Sequence, residues 1–188
     1  MLKDPAPRLV IILSVALLVA LAAALHLMGR IAWCTCGLGI WTSEAWSRRT
    51  SQDFADPYSF THILHGLIFY WFLGRLFPSF SIGKRFIIAV LIEVAWEVLE
   101  NSPPIIERYR AATASLDYFG DSILNSLGDT VFCMVGFFLA ARLPSQVSIA
   151  LALGVELVLL WLIRDNLTLN VLMLIHPVQA IKDWQLAH

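Results

Sequence analysis

The sequence predicts an all-α membrane protein, a polytopic helix bundle of about five transmembrane helices with a C-terminal interfacial segment. Three observations predict it. Hydrophobic residues make up 59% and charged residues 14% of the 188 residues, where soluble domains carry about 25% charge. Mean hydropathy is +0.73. The apolar residues also fall into runs close to the length a bilayer requires, parted by polar connections. Seven Trp and eleven Phe suit rings placed in lipid or at its boundary. A net charge of -1 leaves no basic face for nucleic acid.

The first run, Leu9 to Met28, follows Lys3 and Arg8 and resembles a signal peptide. At about 20 residues it exceeds the usual signal core of roughly 7–15, so it reads as an uncleaved first span. A polar connection from Gly29 to Pro57 holds Trp33, Trp41, Trp46, Arg48 and Arg49, a mixture suited to the membrane boundary. The second span is Tyr58 to Phe77, ended by Pro78. The third, Phe86 to Leu99, contains Glu93 and Glu97, and Pro103-Pro104 forbids its continuation. A loop through Arg108, Arg110 and Asp117 leads to a fourth span, Tyr118 to Ala141, and the fifth is Val147 to Leu162. In the tail, the apolar patch Leu167 to Ile175 is too short to cross and is expected at the interface or against the bundle. Residues 1–188 read as one integral membrane domain without repeats.

Orientation follows from the short connections. Residues 1–8, 75–85 and 142–146 share one side and carry Lys3, Arg8, Arg75, Lys84, Arg85 and Arg142 against one acid, Asp4. The positive-inside rule therefore favours a cytoplasmic N-terminus and an external C-terminus. Of the three cysteines, Cys34 and Cys36 form Cys-Thr-Cys with nothing beside them to complete a four-ligand metal site. The odd count argues against a complete disulfide framework, and they read as structural or incidental. Bulky Trp33 before Cys34 argues against a lipoprotein signal. Asn166-Leu-Thr168 matches a glycosylation acceptor, a pattern too common to use.

Three segments carry ionisable groups where lipid disfavours them. His62 and His65 share a helix face. Glu93, Glu97 and Glu100 stand at i, i+4 and i+7, again on one face. Asp117, Asp121, Asn125 and Asp129 recur every four positions, a polar stripe expected to run along the fourth helix about 18 Å deep. Alternating spans put all three groups, and Glu156, in the same half of the membrane, on the external side. Ionised carboxylates there should face inward and be paired, protonated or offset by a cation. Imidazole with hard carboxylate oxygens suits Zn, Mn or Fe, and carboxylates alone suit Mg or Ca. The di-iron Glu-x-x-His spacing is not reproduced.

Each group also has a plainer reading. A single His62 or His65 is more often a hydrogen-bonded core residue than a ligand. Glu100 and Asp117 sit at span ends and read as solvated, with Asp117 a possible N-cap. Asn125 fits a helix–helix hydrogen bond, and Ser122, Ser126, Gly128 and Gly136 fit close packing. Glu93, Glu97, Asp121 and Asp129 resist such readings, since each is expected inside a span.

The segments Phe60-Thr-His-Ile-Leu-His-Gly66, Glu93-Val-Ala-Trp-Glu97, Glu100-Asn-Ser-Pro103, Arg108-Tyr-Arg110 and Asp117 through Asp129 resemble a family of uncharacterised bacterial integral membrane proteins, over nearly the whole chain. That resemblance implies a bacterial inner-membrane address. A more distant likeness, over about residues 58–142, is to VanZ-like proteins, through Glu93, Arg110, Asp121, Asn125 and Gly128 in order. Trp96-Glu97 departs from the Gln usual there, and Asp129 is additional. The VanZ likeness implies a link to the cell envelope and glycopeptide tolerance.

These residues support three functions. In the first, the polar site holds a divalent metal and acts on a membrane lipid or lipid-linked envelope substrate. Its metal ligands are drawn from His62, His65, Glu93, Glu97 and Asp121. Glu97, Asp121 and Asp129 are the catalytic candidates. Arg108, Arg110 and Asn125 are the substrate-binding candidates, with an arginine on an anionic headgroup. The second is a transporter or ion-coupled carrier, against which stands the lack of an inverted repeat. The third is a non-catalytic scaffold in which polar residues lock helices together.

Overall fold

The computed structural model describes residues 4–187 and, among them, eight helices and no strand. These are α1 (Pro7–Leu27), α2 (Ser59–Leu76), α3 (Ile82–Glu100), α4 (Pro103–Ala112), α5 (Ile123–Arg142), α6 (Ser145–Ile163), α7 (Leu167–Ile175) and α8 (Gln179–Leu186). Among the described residues three helices, α1, α5 and α6, are long and apolar enough to cross a membrane, fewer than the five the sequence predicts. Helices α2 and α3 stand where the second and third spans were expected, but polar residues dilute their apolar character. Helix α3 carries Lys84, Arg85, Glu93, Glu97 and Glu100, and α2 carries Ser59, Thr61, His62, His65 and Arg75.

The helix boundaries have local causes. Ser81 caps α3, its side chain accepting from the Lys84 N–H. Pro103 ends any continuation and opens α4, where a missing N–H costs nothing. Helix α4 thus occupies a segment expected to be loop. Helix α5 starts at Ile123 rather than Tyr118, because Gly120 turns the chain at φ +96° and Ser122, not Asp117, is the N-cap. Asp117 and Asp121 therefore precede the helix. Only Asn125 and Asp129 lie on α5, and the continuous stripe with its 18 Å depth is not formed.

Helices α2 and α5 make the most extensive pairing, with α3 against both and α1 against α3. The α2–α5 contact is backbone to backbone. A Cβ at Gly66 would lie 2.0 Å from the Cys133 carbonyl oxygen, and one at Gly136 would lie 2.1 Å from that of Ile63. Small residues allow this approach. Leu21, Leu25, Leu73, Phe86, Val90 and Phe137 form the main apolar core. The buried polar residues of α2, α3 and α5 collect toward the helix ends nearest the long connection.

That connection, residues 28–58, is built rather than slack. Arg49 pairs with buried Asp53 at 3.0 Å, and Cys34 and Cys36 form a disulfide. Asp56 accepts from the N–H groups of Ser51, Tyr58 and Ser59 and so starts α2. Asn125 donates to the Asp53 carbonyl and Ser122 to that of Gln52, which lays the connection over the start of α5. Helix α7 coincides with the expected short apolar patch. Glu156, expected to join the polar group, instead accepts from the N–H groups of Leu167 and Thr168 at the start of α7.

Candidate functional site

The centre of the polar region is His62, placed by α2 against α3 on one side and α5 on the other. Its Nδ1 is 2.5 Å from Glu93 Oε1 and 3.5 Å from Glu97 Oε1, and its Nε2 is 3.7 Å from Asp129 Oδ2. His65, one turn along α2, faces Glu93 through Nδ1 at 3.0 Å and 3.2 Å from its two oxygens. Glu93 and Glu97 are 0% exposed, because the i, i+4 spacing sets both on the face of α3 that meets α2 and α5. Asp129 Oδ1 accepts from the Ser59 hydroxyl at 2.6 Å, and that oxygen in turn accepts from the Asp56 N–H at 3.1 Å. The His62 imidazole therefore has carboxylates at both ring nitrogens.

Glu97 differs from its neighbours. Neither of its carboxylate oxygens accepts a hydrogen bond from the described residues. A buried carboxylate without donors is costly in a low-dielectric setting, and the His62 ring at 3.5 Å is its nearby partner. Two sets of ligand atoms lie within 4.8 Å of one another: His62, His65 and Glu93, and His62, Glu97 and Glu100.

Of this cluster His62, His65, Glu100 and Asp129 border a cavity of about 450 Å3, while Glu93 and Glu97 lie outside its lining. Its polar side includes His62, His65, Glu100, Tyr118, Asp121, Asn125 and Asp129. Its other side is apolar, from Phe69, Ile92 and Trp96 on α2 and α3 and from Val171, Leu174 and Ile175 on α7. Asp121 lines the cavity but lies outside both ligand sets. Its Oδ2 accepts from Asn101 Nδ2 at 2.8 Å, its Oδ1 from the Tyr118 hydroxyl at 3.1 Å, and its own N–H donates to Asn101 at 2.7 Å. Burial pushes the Asp121 carboxyl above the usual range, and the bonds from Asn101, Ser51 and Tyr118 partly offset this. Burial raises Asp56 likewise, against the N–H bonds from Ser51 and Tyr58.

The structure thus gathers His62, His65, Glu93, Glu97 and Asp129, with Asp121 and Asn125 on the same cavity. It does not bring Arg108 or Arg110 to that cavity. Arg108 donates to the Leu174 and Ile175 carbonyls at the end of α7, and Arg110 to the Tyr118 carbonyl. Glu100, read as solvated, lines the cavity because α4 folds back beside it. Asp56, Ser59 and Asn101 escaped the sequence reading, since each looks like an ordinary turn or cap residue. Asp-Pro-x-Ser ahead of a helix was the available signal for the first two.

Fold and site define an all-helical protein with membrane-compatible helices around a buried histidine–carboxylate cluster. The chain belongs to the family described as protein of unknown function DUF2585, whose profile matches residues 25–187. It is 51% identical over 173 residues to a UPF0314 protein of Paracoccus denitrificans, covering 90% of each chain. It is 50% identical over 175 residues to one from Sphingopyxis alaskensis, covering 93% of each. A UPF0314 protein of Agrobacterium fabrum is 52% identical over 162 residues, 86% of this chain and 82% of that one. No solved structure gives a significant match.

Proposed function

We propose that this is a multi-spanning protein of the bacterial inner membrane whose centre at His62, Glu97 and Glu100 holds a divalent cation and acts on a lipid or lipid-linked envelope substrate. The observation that carries this reading is Glu97, fully buried, 3.5 Å from His62 and without a hydrogen-bond donor. A cation beside His62 and Glu97 would supply the missing partner. Imidazole with carboxylates suits Zn, Mn or Fe. Such a cation polarises a phosphoryl or carbonyl oxygen or activates water. Asp129, anchored through Ser59 and lining the cavity, is placed to take a proton. The apolar wall of the cavity suits an acyl or prenyl chain. The VanZ-like order of Glu93, Arg110, Asp121, Asn125 and Gly128 fits an envelope role.

Five spans belong to this reading. The outward faces of α2 and α3 carry exposed Ile68, Phe72, Leu91 and Leu99, while Glu93 and Glu97 point inward. Helices with that division can sit in lipid although their overall composition is too polar. The Cys34–Cys36 disulfide favours an oxidising compartment for residues 28–58, which agrees with a cytoplasmic N-terminus.

The scaffold alternative draws on Asp121, Asn125 and Asp129, each with a hydrogen-bond partner on another segment. Metal analysis of the purified protein separates the two. The expected result is a transition metal bound in wild type and absent in Glu97→Gln. No bound metal, together with a melting temperature unmoved by Zn or Mn, rejects the metal centre.

A further inference from the structure

A second cavity, of about 670 Å3, adjoins the first and shares Ser51, Tyr58, Ser115 and Tyr118 with it. Its lining holds two arginines, Arg48 from the long connection and Arg110 from α4, against one acid, Asp117. The Arg48 guanidinium has no hydrogen-bond or ion-pair partner among the described residues. Arg110 is oriented by its Nε donating to the Tyr118 carbonyl, which leaves its two terminal nitrogens for a ligand. Tyr118 itself stands on the border between the cavities and hydrogen-bonds Asp121. The chain therefore has two joined chambers of opposite character. One is apolar-walled and borders the histidine–carboxylate centre, and the other is the more polar, with a net positive lining.

We propose that the second chamber binds the phosphate-bearing anionic headgroup of a membrane lipid whose hydrocarbon chain lies along Phe69, Ile92 and Trp96 in the first. This rests on the function proposed above and names its substrate class. Arginine is the side chain suited to this task, because its planar fork matches phosphate oxygens in pairs. Free phosphate offers the same anion, but it leaves the adjoining apolar wall unfilled, whereas a phospholipid fills both chambers. The border residues Ser51, Tyr58, Ser115 and Tyr118 are each amphipathic or small and polar, as a junction between headgroup and chain requires.

Native mass spectrometry of the full chain in detergent, with phosphatidylglycerol, phosphatidylcholine or inorganic phosphate added, tests this. Wild type is expected to retain phosphatidylglycerol over phosphatidylcholine, and millimolar inorganic phosphate is expected not to displace it. Arg48→Ala, which removes no hydrogen bond or ion pair among the described residues, should weaken phosphatidylglycerol retention about tenfold, the loss of one charge-assisted bond. Arg48→Lys should restore part of it. Metal content, measured on the same samples, should stay at the wild-type level. Equal retention of the two lipids by wild type, or an Arg48→Ala variant that keeps the preference, overturns the headgroup chamber. Displacement by inorganic phosphate overturns the lipid assignment. Absence of metal counts against the metal centre alone, so the two failures are distinguishable.

Discussion

Glu97 lies 3.5 Å from His62 and receives no hydrogen bond at either carboxylate oxygen, although it is wholly buried. Its neighbour Glu93 shows the contrast, held by both His62 and His65. One helix face thus carries a satisfied carboxylate and an unsatisfied one, a single turn apart.

If Glu97 is kept for a cation, removing its charge should help the metal-free protein. Glu97→Gln is expected to gain about 1–3 kcal/mol in unfolding free energy without metal, the desolvation penalty of an unpartnered group. It should also lose the stabilisation that Zn or Mn gives wild type. Thermal melts with and without metal measure both. A variant that melts lower than metal-free wild type would make Glu97 a structural partner of His62.

The α2–α5 contact predicts sensitivity far out of proportion to size. Gly66→Ala puts a methyl against the Cys133 carbonyl, which cannot yield without parting the helices. A loss of about 2 kcal/mol or more is expected, at the upper end for overpacking. Metal retention should fall too, because His62 and Asp129 lie on the parted helices. Gly154→Ala is the control. Nothing lies near its Cβ, so helix propensity should make it neutral or slightly stabilising. Melting temperature and metal content of the two variants check this.

Asp165, between α6 and α7, has its carboxyl pushed by burial up to about 6, with bonds from Asn166 and Tyr58 acting the other way. An acid whose folded value is raised above its unfolded value binds protons more tightly when folded. Its contribution to stability therefore falls as pH rises from about 4 to about 6, and the penalty is complete above that. The full effect is on the order of 3 kcal/mol at most. Asp165→Asn should flatten this part of the stability–pH profile and raise the melting temperature at pH 7 relative to wild type. An unchanged slope between pH 4 and 6 would assign it to other groups, among them Asp56 and Asp121, whose shifts have the same sign.

The disulfide supplies a topology test. In spheroplasts treated with an impermeant reductant, an impermeant maleimide should label Cys34 and Cys36, and labelling should vanish in a Cys34→Ser, Cys36→Ser double variant. Buried Cys133 should stay unlabelled. Labelling confined to inverted vesicles would reverse the proposed orientation.

Much of the site was legible because helical spacing and span alternation are coarse, robust rules. The pairs His62–His65 and Glu93–Glu97 had to share faces, and antiparallel neighbours had to bring those faces to one depth. What escaped was set by local chain reversals. Gly120 and Ser122 break the four-residue rhythm that runs from Asp117 to Asp129, so a pattern that counts as helix is half loop. Pro103-Pro104 was read as a stop, correctly for α3, although proline in a first turn is equally a start. Arg108 looked free for a headgroup because its partners, the carbonyls of Leu174 and Ile175, carry no signature in side-chain sequence.

Helix α7 forms one wall of the first cavity yet is pinned by polar contacts at its two ends, to Glu156 at its start and to Arg108 at its finish. Neither pin belongs to the histidine–carboxylate cluster. The wall of the cavity and the cluster beside it are therefore held by separate sets of residues. Under the proposed function, that wall can be loosened or exchanged while the histidine–carboxylate groups keep their spacing, so the substrate accepted could drift without disturbing the groups that would act on it.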